Sequence, residues 1–272
     1  MAIRFFRNTF TPLAGAHPLC EQRGCHAAQV GNIAKFERFK GFVSPAKPAI
    51  AGGPSSAGHR LSLGWYARTV PRELRAIVLD YGAVICRLPS PAEWSEFAAE
   101  AGMTVDDFIR AYARSRERYD RGLVRADAYW TEFGRQLGMS YDAPARRRLA
   151  EIDIRVWSHV DGDLVTFVRT LRRSGLITGI LSNMQPDLLE TLRRGSAWLD
   201  AFDVQVFSCE VGFVKPERQV YDHLIDRLGI ERSRVLFLDD VADNVAGAKA
   251  AGLQSAVFTS LDDLRRLVDS AI

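Results

Sequence analysis

Four stretches of this 272-residue chain place reactive side chains directly after a short apolar run or inside a glycine-containing loop. "AIVLD" ends in Asp80, and "ITGILSN" ends in Ser182 and Asn183. "EVGFVKPE" carries Lys215, and "VLFLDD" ends in Asp239 and Asp240. A carboxylate able to act as a nucleophile, a hydroxyl, an ammonium and an acidic pair suit a divalent cation and a phosphoryl group. Carboxylates hold Mg²⁺, while the metal and a lysine neutralise phosphate charge. A carboxylate can also attack phosphorus and carry the group covalently. Each residue alone has a plainer reading. Asp80 would serve as a turn residue, Ser182 as a helix cap ahead of Pro186, and Lys215 as a solvated loop lysine. The adjacent Asp239 and Asp240 are harder to explain that way, because two neighbouring carboxylates after a buried strand repel each other and a cation relieves the repulsion.

The elements that must hold these groups follow from periodicity. Short apolar runs predict strands over 76–80, 177–181, 204–208, 235–238 and 255–258. Helical spacing with caps predicts helices over 91–102, 126–138, 145–157, 162–174, 186–194, 218–228, 244–251 and 261–270. Thr104 is placed to cap one further helix, "VDDFIRAYARSRERYDRG". Alternating short strands and helices imply an α/β fold, a Rossmann-like parallel sheet with helices on both faces. Ligands of such a sheet bind outside the carboxyl ends of its strands, where the four reactive stretches fall. The helical block between the first two strands reads as an insertion with its own small core. Trp94, Phe97, Phe108, Tyr112, Trp130 and Phe133 are assigned mainly to that core. The charged runs "RSRERYDR" and "ARRRLAEIDIR" read as solvated helix faces. Cys86 reads as a small buried hydrophobe.

Composition sets the outer bounds. Hydrophobic residues make up 47% and charged residues 25%, the balance of a soluble globular protein. No apolar run has the length of a membrane span. Cys20, Cys25, Cys86 and Cys209 are scattered without a disulfide framework, which suits a reducing cytoplasm. The net charge of +3 is unevenly spread: residues 1–70 hold nine Lys/Arg and two acids, leaving residues 71–272 at −4. The basic balance therefore gives no support to nucleic-acid binding by the folded part. Residues 1–70 read as a disordered basic leader with a Pro/Gly/Ser-rich linker, "SPAKPAIAGGPSSAGHR", in preference to an organelle transit peptide. The His17, Cys20, Cys25 and His26 group fits no common zinc spacing.

The four stretches, in this order, resemble the motifs of the haloacid dehalogenase superfamily. "IVLDYGAVI" is similar to the first, "ILSN" to the second, "VGFVKPERQVYDHL" to the third and "VLFLDDVADNVAGAKAAG" to the fourth. The last two are most similar to the phosphatase domain of soluble epoxide hydrolase and to small bacterial sugar-phosphate phosphatases. The resemblance implies a core of residues 71–90 and 160–272 with an inserted helical cap of 91–159. It implies a Mg²⁺-dependent phosphatase of a small phosphorylated metabolite that works through an aspartyl-phosphate. Asp80 is then nucleophile and metal ligand, and Ser182 and Asn183 bind the phosphoryl group. Lys215 pairs with both the nucleophile and the phosphoryl charge. Asp240 and the Gly82 backbone carbonyl complete the metal site, supported by Asp239.

Gly82 departs from the pattern, since the superfamily's first motif is D-x-D and here it is D-x-G. The missing carboxylate would protonate the leaving group and activate water, help worth about 10²–10⁴ in rate. Two alternatives follow. A haloacid dehalogenase would attack carbon without a metal, but leaves the acidic pair unexplained. A pseudo-phosphatase would only bind a phosphorylated ligand, but has no need of Asp80.

Overall fold

In a computed structural model of the chain, residues 74–271 are described. The reading of residues 1–70 as a leader and the His17/Cys20/Cys25/His26 group lie outside them. Five strands, β1 (Ala76–Leu79), β2 (Ile177–Ser182), β3 (Val204–Phe207), β4 (Val235–Asp239) and β5 (Gln254–Val257), form one sheet in the order β3-β2-β1-β4-β5. All four pairings are parallel. The alternation of β1 explains why helices cover both faces. Ala76 and Val78 point into a cluster with Tyr221 and Leu224 of α9 (Arg218–Leu228) and Ala248 of α10 (Ala242–Ala250). Ile77 and Leu79 point into the opposite cluster with Leu164 and Val168 of α6 (Gly162–Arg173), Leu188 and Leu192 of α7 (Pro186–Gly195) and Leu264 of α11 (Leu261–Ala271). No helix among the described residues is long and apolar enough to cross a membrane.

Between β1 and β2 the chain builds α1 (Pro91–Glu100), α2 (Val105–Ser115), α3 (Glu117–Asp120), α4 (Ala126–Gln136) and α5 (Ala143–Val156). Local chemistry starts these helices where the sequence suggests. Ser90 and Glu93 make a reciprocal capping box on α1, while Thr104 and Asp142 cap α2 and α5. All six aromatics assigned to this insertion's core lie in it. The single helix expected after Thr104 is broken at Arg116, and α3 restarts there. The break turns Arg116 and Tyr119 inward, to 7% and 1% exposure, so "RSRERYDR" is not wholly a solvated face. The other charged run also turns one of its charged residues inward, since Asp153 is 1% exposed. Arg116 donates to Asp120 and Asp153 (2.8 and 2.9 Å) and to Gln185, and Tyr112 donates to Asp153 (2.5 Å). A buried charge survives only with partners of this kind.

The insertion leaves and rejoins the sheet domain at one place. Asp161 N donates to Ile85 O (2.8 Å) and Arg87 N to His159 O (3.0 Å), with an antiparallel bridge between Cys86 and Val160. Glu93 bonds Arg87 on the outgoing linker and lies 2.7 Å from His159 on the returning one.

The expected strand 204–208 ends one residue early. Ser208 instead opens a short helix, α8 (Ser208–Val211), closed by Gly212 at φ 77°. Its hydroxyl accepts from Met184 N (2.9 Å) and donates to Asp120 O, which removes Ser208 from the sheet ladder.

Candidate active site

The sheet places the reactive residues level with one another. Leu79 pairs with Ile180 on one side and Leu238 on the other, so Asp80 comes one step beyond a registered row and lies beside the ends of β2 and β4. Asp80 N donates to Leu238 O (2.9 Å). From β1 the chain builds outward to β2 and β3, then returns to build β4 and β5 on the other side. The β1/β4 boundary is thus the switch point where an open parallel sheet forms its binding crevice.

Lys215 reaches this point from the loop before α9. Its Nζ lies 2.7 Å from Asp80 Oδ1 and 2.5 Å from Asp239 Oδ2, and donates to Leu181 O at 3.0 Å. The loop is gripped from the β2 end by Asn183, whose Oδ1 accepts from Lys215 N (2.8 Å) and whose Nδ2 donates to Lys215 O (3.0 Å). Close approach of α10 backs the loop at Gly247, where a Cβ would stand 2.7 Å from Pro216 Cβ. Asp80, Ser182 and Lys215 are each 2% exposed and Asp239 is fully buried.

The two acids of the pair are not equivalent. Asp239 accepts from Lys215, from Val241 N (2.8 Å) and, on both oxygens, from Asn244 Nδ2 (3.0 Å each). Asn244 had no role in the sequence reading, although it stands one turn into the helix after the acidic pair. Asp240 is more exposed, and one carboxylate oxygen each from Asp80, Asp239 and Asp240 lie within 4.8 Å of one another. Three carboxylates facing one ammonium leave an excess of two negative charges. That excess and an all-oxygen donor set fit a hard divalent cation.

Ser182 Oγ makes one long contact, to Asn183 O (3.4 Å). Gly82 lies in the turn after β1 and forms an isolated bridge with Cys86; Ala83 next to it has φ 62°, a left-handed conformation that alanine rarely adopts. Tyr81 points away from the carboxylates. Its hydroxyl donates to Trp157 O (2.6 Å), its ring stacks on Trp198, and burial holds its pKa far above the usual tyrosine value. Cys86 is fully buried and its thiol is pushed up to about 11, chiefly by burial, so it is an inert part of the core.

Residues 71–252 match the hydrolase family described as haloacid dehalogenase-like. The chain belongs to that family. It is 28% identical over 158 residues to the phosphatase MT3486 of Mycobacterium tuberculosis, covering 57% of this chain and 65% of that protein. It is 32% identical over 120 residues to the (S)-2-haloacid dehalogenase of Pseudomonas sp. strain YL, covering 43% and 50% of the two chains. Two other relatives, from Mus musculus and Aspergillus calidoustus, are matched over 19% and 35% of their own length, so the chain spans only part of its curated relatives. A family enzyme from Bacteroides thetaiotaomicron, solved with magnesium and inorganic phosphate, shares the fold with a TM-score of 0.59 and 15% identity, over 71% of this chain and 98% of that one. The chain is thus a hydrolase of this family with an inserted helical cap.

Proposed function

We propose that the chain is a Mg²⁺-dependent phosphatase of small phosphorylated metabolites. The observation that carries this reading is the site itself: Lys215 pairs with both Asp80 and Asp239, and Asp240 brings a third carboxylate within 4.8 Å of those two. A carboxylate that only attacked carbon would have no need of Asp240 beside it.

Asp80 attacks phosphorus through a carboxylate oxygen. The P–O bond to the leaving group breaks, and that oxygen departs with the bond's electron pair. Water then cleaves the phosphoryl-Asp80 and frees the carboxylate. Lys215 pairs with the nucleophile and faces the incoming phosphoryl charge, and Ser182 and the Asn183 end of β2 bind its oxygens. Asp80, Asp240 and the Gly82 carbonyl would hold Mg²⁺, which when bound supplies positive charge to the phosphoryl oxygens. Asp239, whose oxygens already accept four hydrogen bonds, supports that end by fixing Lys215. The inserted helices 91–159 form the cap that selects substrate, over a core of 71–90 and 160–272. The free thiols Cys86 and Cys209 fit a cytoplasmic location.

The test is a screen of phosphorylated metabolites with the full chain, with and without Mg²⁺, alongside Asp80→Asn. Phosphate release that needs both Mg²⁺ and Asp80 is expected. Metal-independent halide release from a 2-haloacid would establish the dehalogenase reading instead. Tight phosphate-ester binding without turnover would establish a pseudo-phosphatase.

A further inference from the structure

The loop that presents Lys215 is gripped twice, once from the sheet and once from the cap. The sheet-side grip is Asn183. The cap-side grip is Arg121, immediately after α3. Its Nη1 donates to Gly212 O (2.9 Å) and to Glu217 Oε2 (3.0 Å), and its Nη2 to Glu217 Oε1. Gly212 and Glu217 bracket Lys215. Glu217 also accepts from Val214 N (3.1 Å) and donates its own N–H to Val214 O (2.8 Å), so the carboxylate that Arg121 holds is itself part of the loop's fold.

Two further contacts seat the same cap turn on the same stretch of core. Ser208 donates to Asp120 O, and Gly122 lies flat against the Cys209 backbone, where any Cβ would collide with the Cys209 carbonyl. The Arg121 and Glu217 side chains are only 18% and 27% exposed, and Glu117 Oε1 accepts from Arg121 as well (3.0 and 3.1 Å). One guanidinium therefore separates two carboxylates. Taking it away leaves like charges facing each other across the seam, a push apart as well as a lost tie.

We propose that Arg121 is a positioning residue for Lys215, so that the lysine is correctly placed only while the cap turn is seated. Asp80, Ser182 and Lys215 are almost wholly covered, so a substrate must lift the covering elements to enter. When the 117–122 turn lifts, Arg121 leaves with it and the 212–217 loop loses its cap-side tie, keeping only those to the sheet domain: Asn183, the packing of Pro216 on Gly247 and the contacts of the Lys215 ammonium itself. Reseating restores that tie. A lysine in place of Arg121 would keep the charge but lose the fork that reaches Gly212 O and both Glu217 oxygens together. The catalytic use of Lys215 rests on the phosphatase reading, whereas the coupling of Arg121 to the placement of Lys215 does not.

Chemical labelling separates the two. Lys215 and Lys249 are the only lysines in residues 74–271, and Lys249 is exposed. Reductive methylation followed by mass spectrometry of the full chain therefore carries its own reference. In the wild type, Lys215 should react far more slowly than Lys249. Arg121→Ala should raise the Lys215 rate by about tenfold relative to Lys249, the effect of a 1.4 kcal/mol shift in a local opening equilibrium. Arg121→Lys should fall between, and Glu217→Gln should reproduce the gain from the core side. Should Arg121→Ala not fold, Glu217→Gln decides. With p-nitrophenyl phosphate as probe, kcat should fall in the same order while KM changes little. Lys215 labelling that stays at the wild-type ratio in the folded variants overturns the proposal. Increased labelling in a chain that hydrolyses no phosphate ester would leave the coupling standing and remove the phosphatase reading alone.

Discussion

At the scale of single residues, the acidic pair divides its labour. Asp239 is fully buried and spends its oxygens on Lys215, Val241 and Asn244. Removing its charge breaks a buried ion pair, so Asp239→Asn should cost about 3 kcal/mol of stability. Asp240→Asn should leave stability nearly unchanged and weaken Mg²⁺ binding instead. Calorimetric titration with Mg²⁺ and thermal melts of both variants check this division, and equal Mg²⁺ affinities would refute it. Gly82 sets a second expectation. Without a carboxylate there, the departing oxygen lacks its usual proton donor, so aryl and acyl phosphates should turn over faster than alkyl phosphates. Gly82→Asp should narrow that gap by up to about 10²-fold in kcat/KM. Equal wild-type rates for both substrate types would mean that another group supplies the proton. Asp80, Asp239 and Asp240 were legible in the sequence because each stands at a strand end, whereas Lys215, in the loop well past β3, was legible only through the company of the other three stretches. Asn244 and Arg116 were not, because a buried amide or guanidinium looks like any polar helix residue until its partners arrive from distant parts of the chain.

At the scale of elements, boundaries depended on contacts that no local pattern encodes. The caps at Ser90, Thr104 and Asp142 are local, and the helices they start were legible. The break at Arg116 and the short helix at Ser208 were not, since both answer to partners across the cap–core seam: Gln185 for Arg116, and Asp120 for Ser208. Gly122 packs tightly into that seam. With φ 73° and the Cys209 carbonyl against it, Gly122→Ala should cost about 2–4 kcal/mol from left-handed strain and overpacking together. A melt should show a Tm drop of roughly 4–16 °C. A Tm within one degree of wild type would mean that the turn can shift without loss.

At the scale of the molecule, the fold class followed from the alternation of strands and helices, and the sheet confirms it. The strand order did not follow, because parallel pairing is fixed by packing on both faces. The cap holds its own aromatic core, with Trp130 fully buried among Phe97, Tyr129 and Phe133. Trp130→Ala should cost about 3–5 kcal/mol within the cap. Because the main clusters of the sheet lie elsewhere, urea unfolding followed by tryptophan fluorescence and by far-UV dichroism should then separate into two transitions. A single coincident transition would show that cap and sheet unfold as one unit.

The paired linkers at 85–87 and 159–161 have a consequence for the chain's history. Because the exit and the return are hydrogen-bonded neighbours, the chain joins the whole helical block to the sheet through a single narrow stalk, and its two cut ends already lie side by side. Such a block is a detachable graft. It can lengthen, shrink or be exchanged for an unrelated module without disturbing one strand pairing, while the carboxylates beneath stay where β1 and β4 put them. Joining residue 87 to residue 159 through a short Gly-Ser bridge should therefore give a chain that keeps its parallel sheet by circular dichroism and still binds Mg²⁺, but no longer discriminates among phosphate esters.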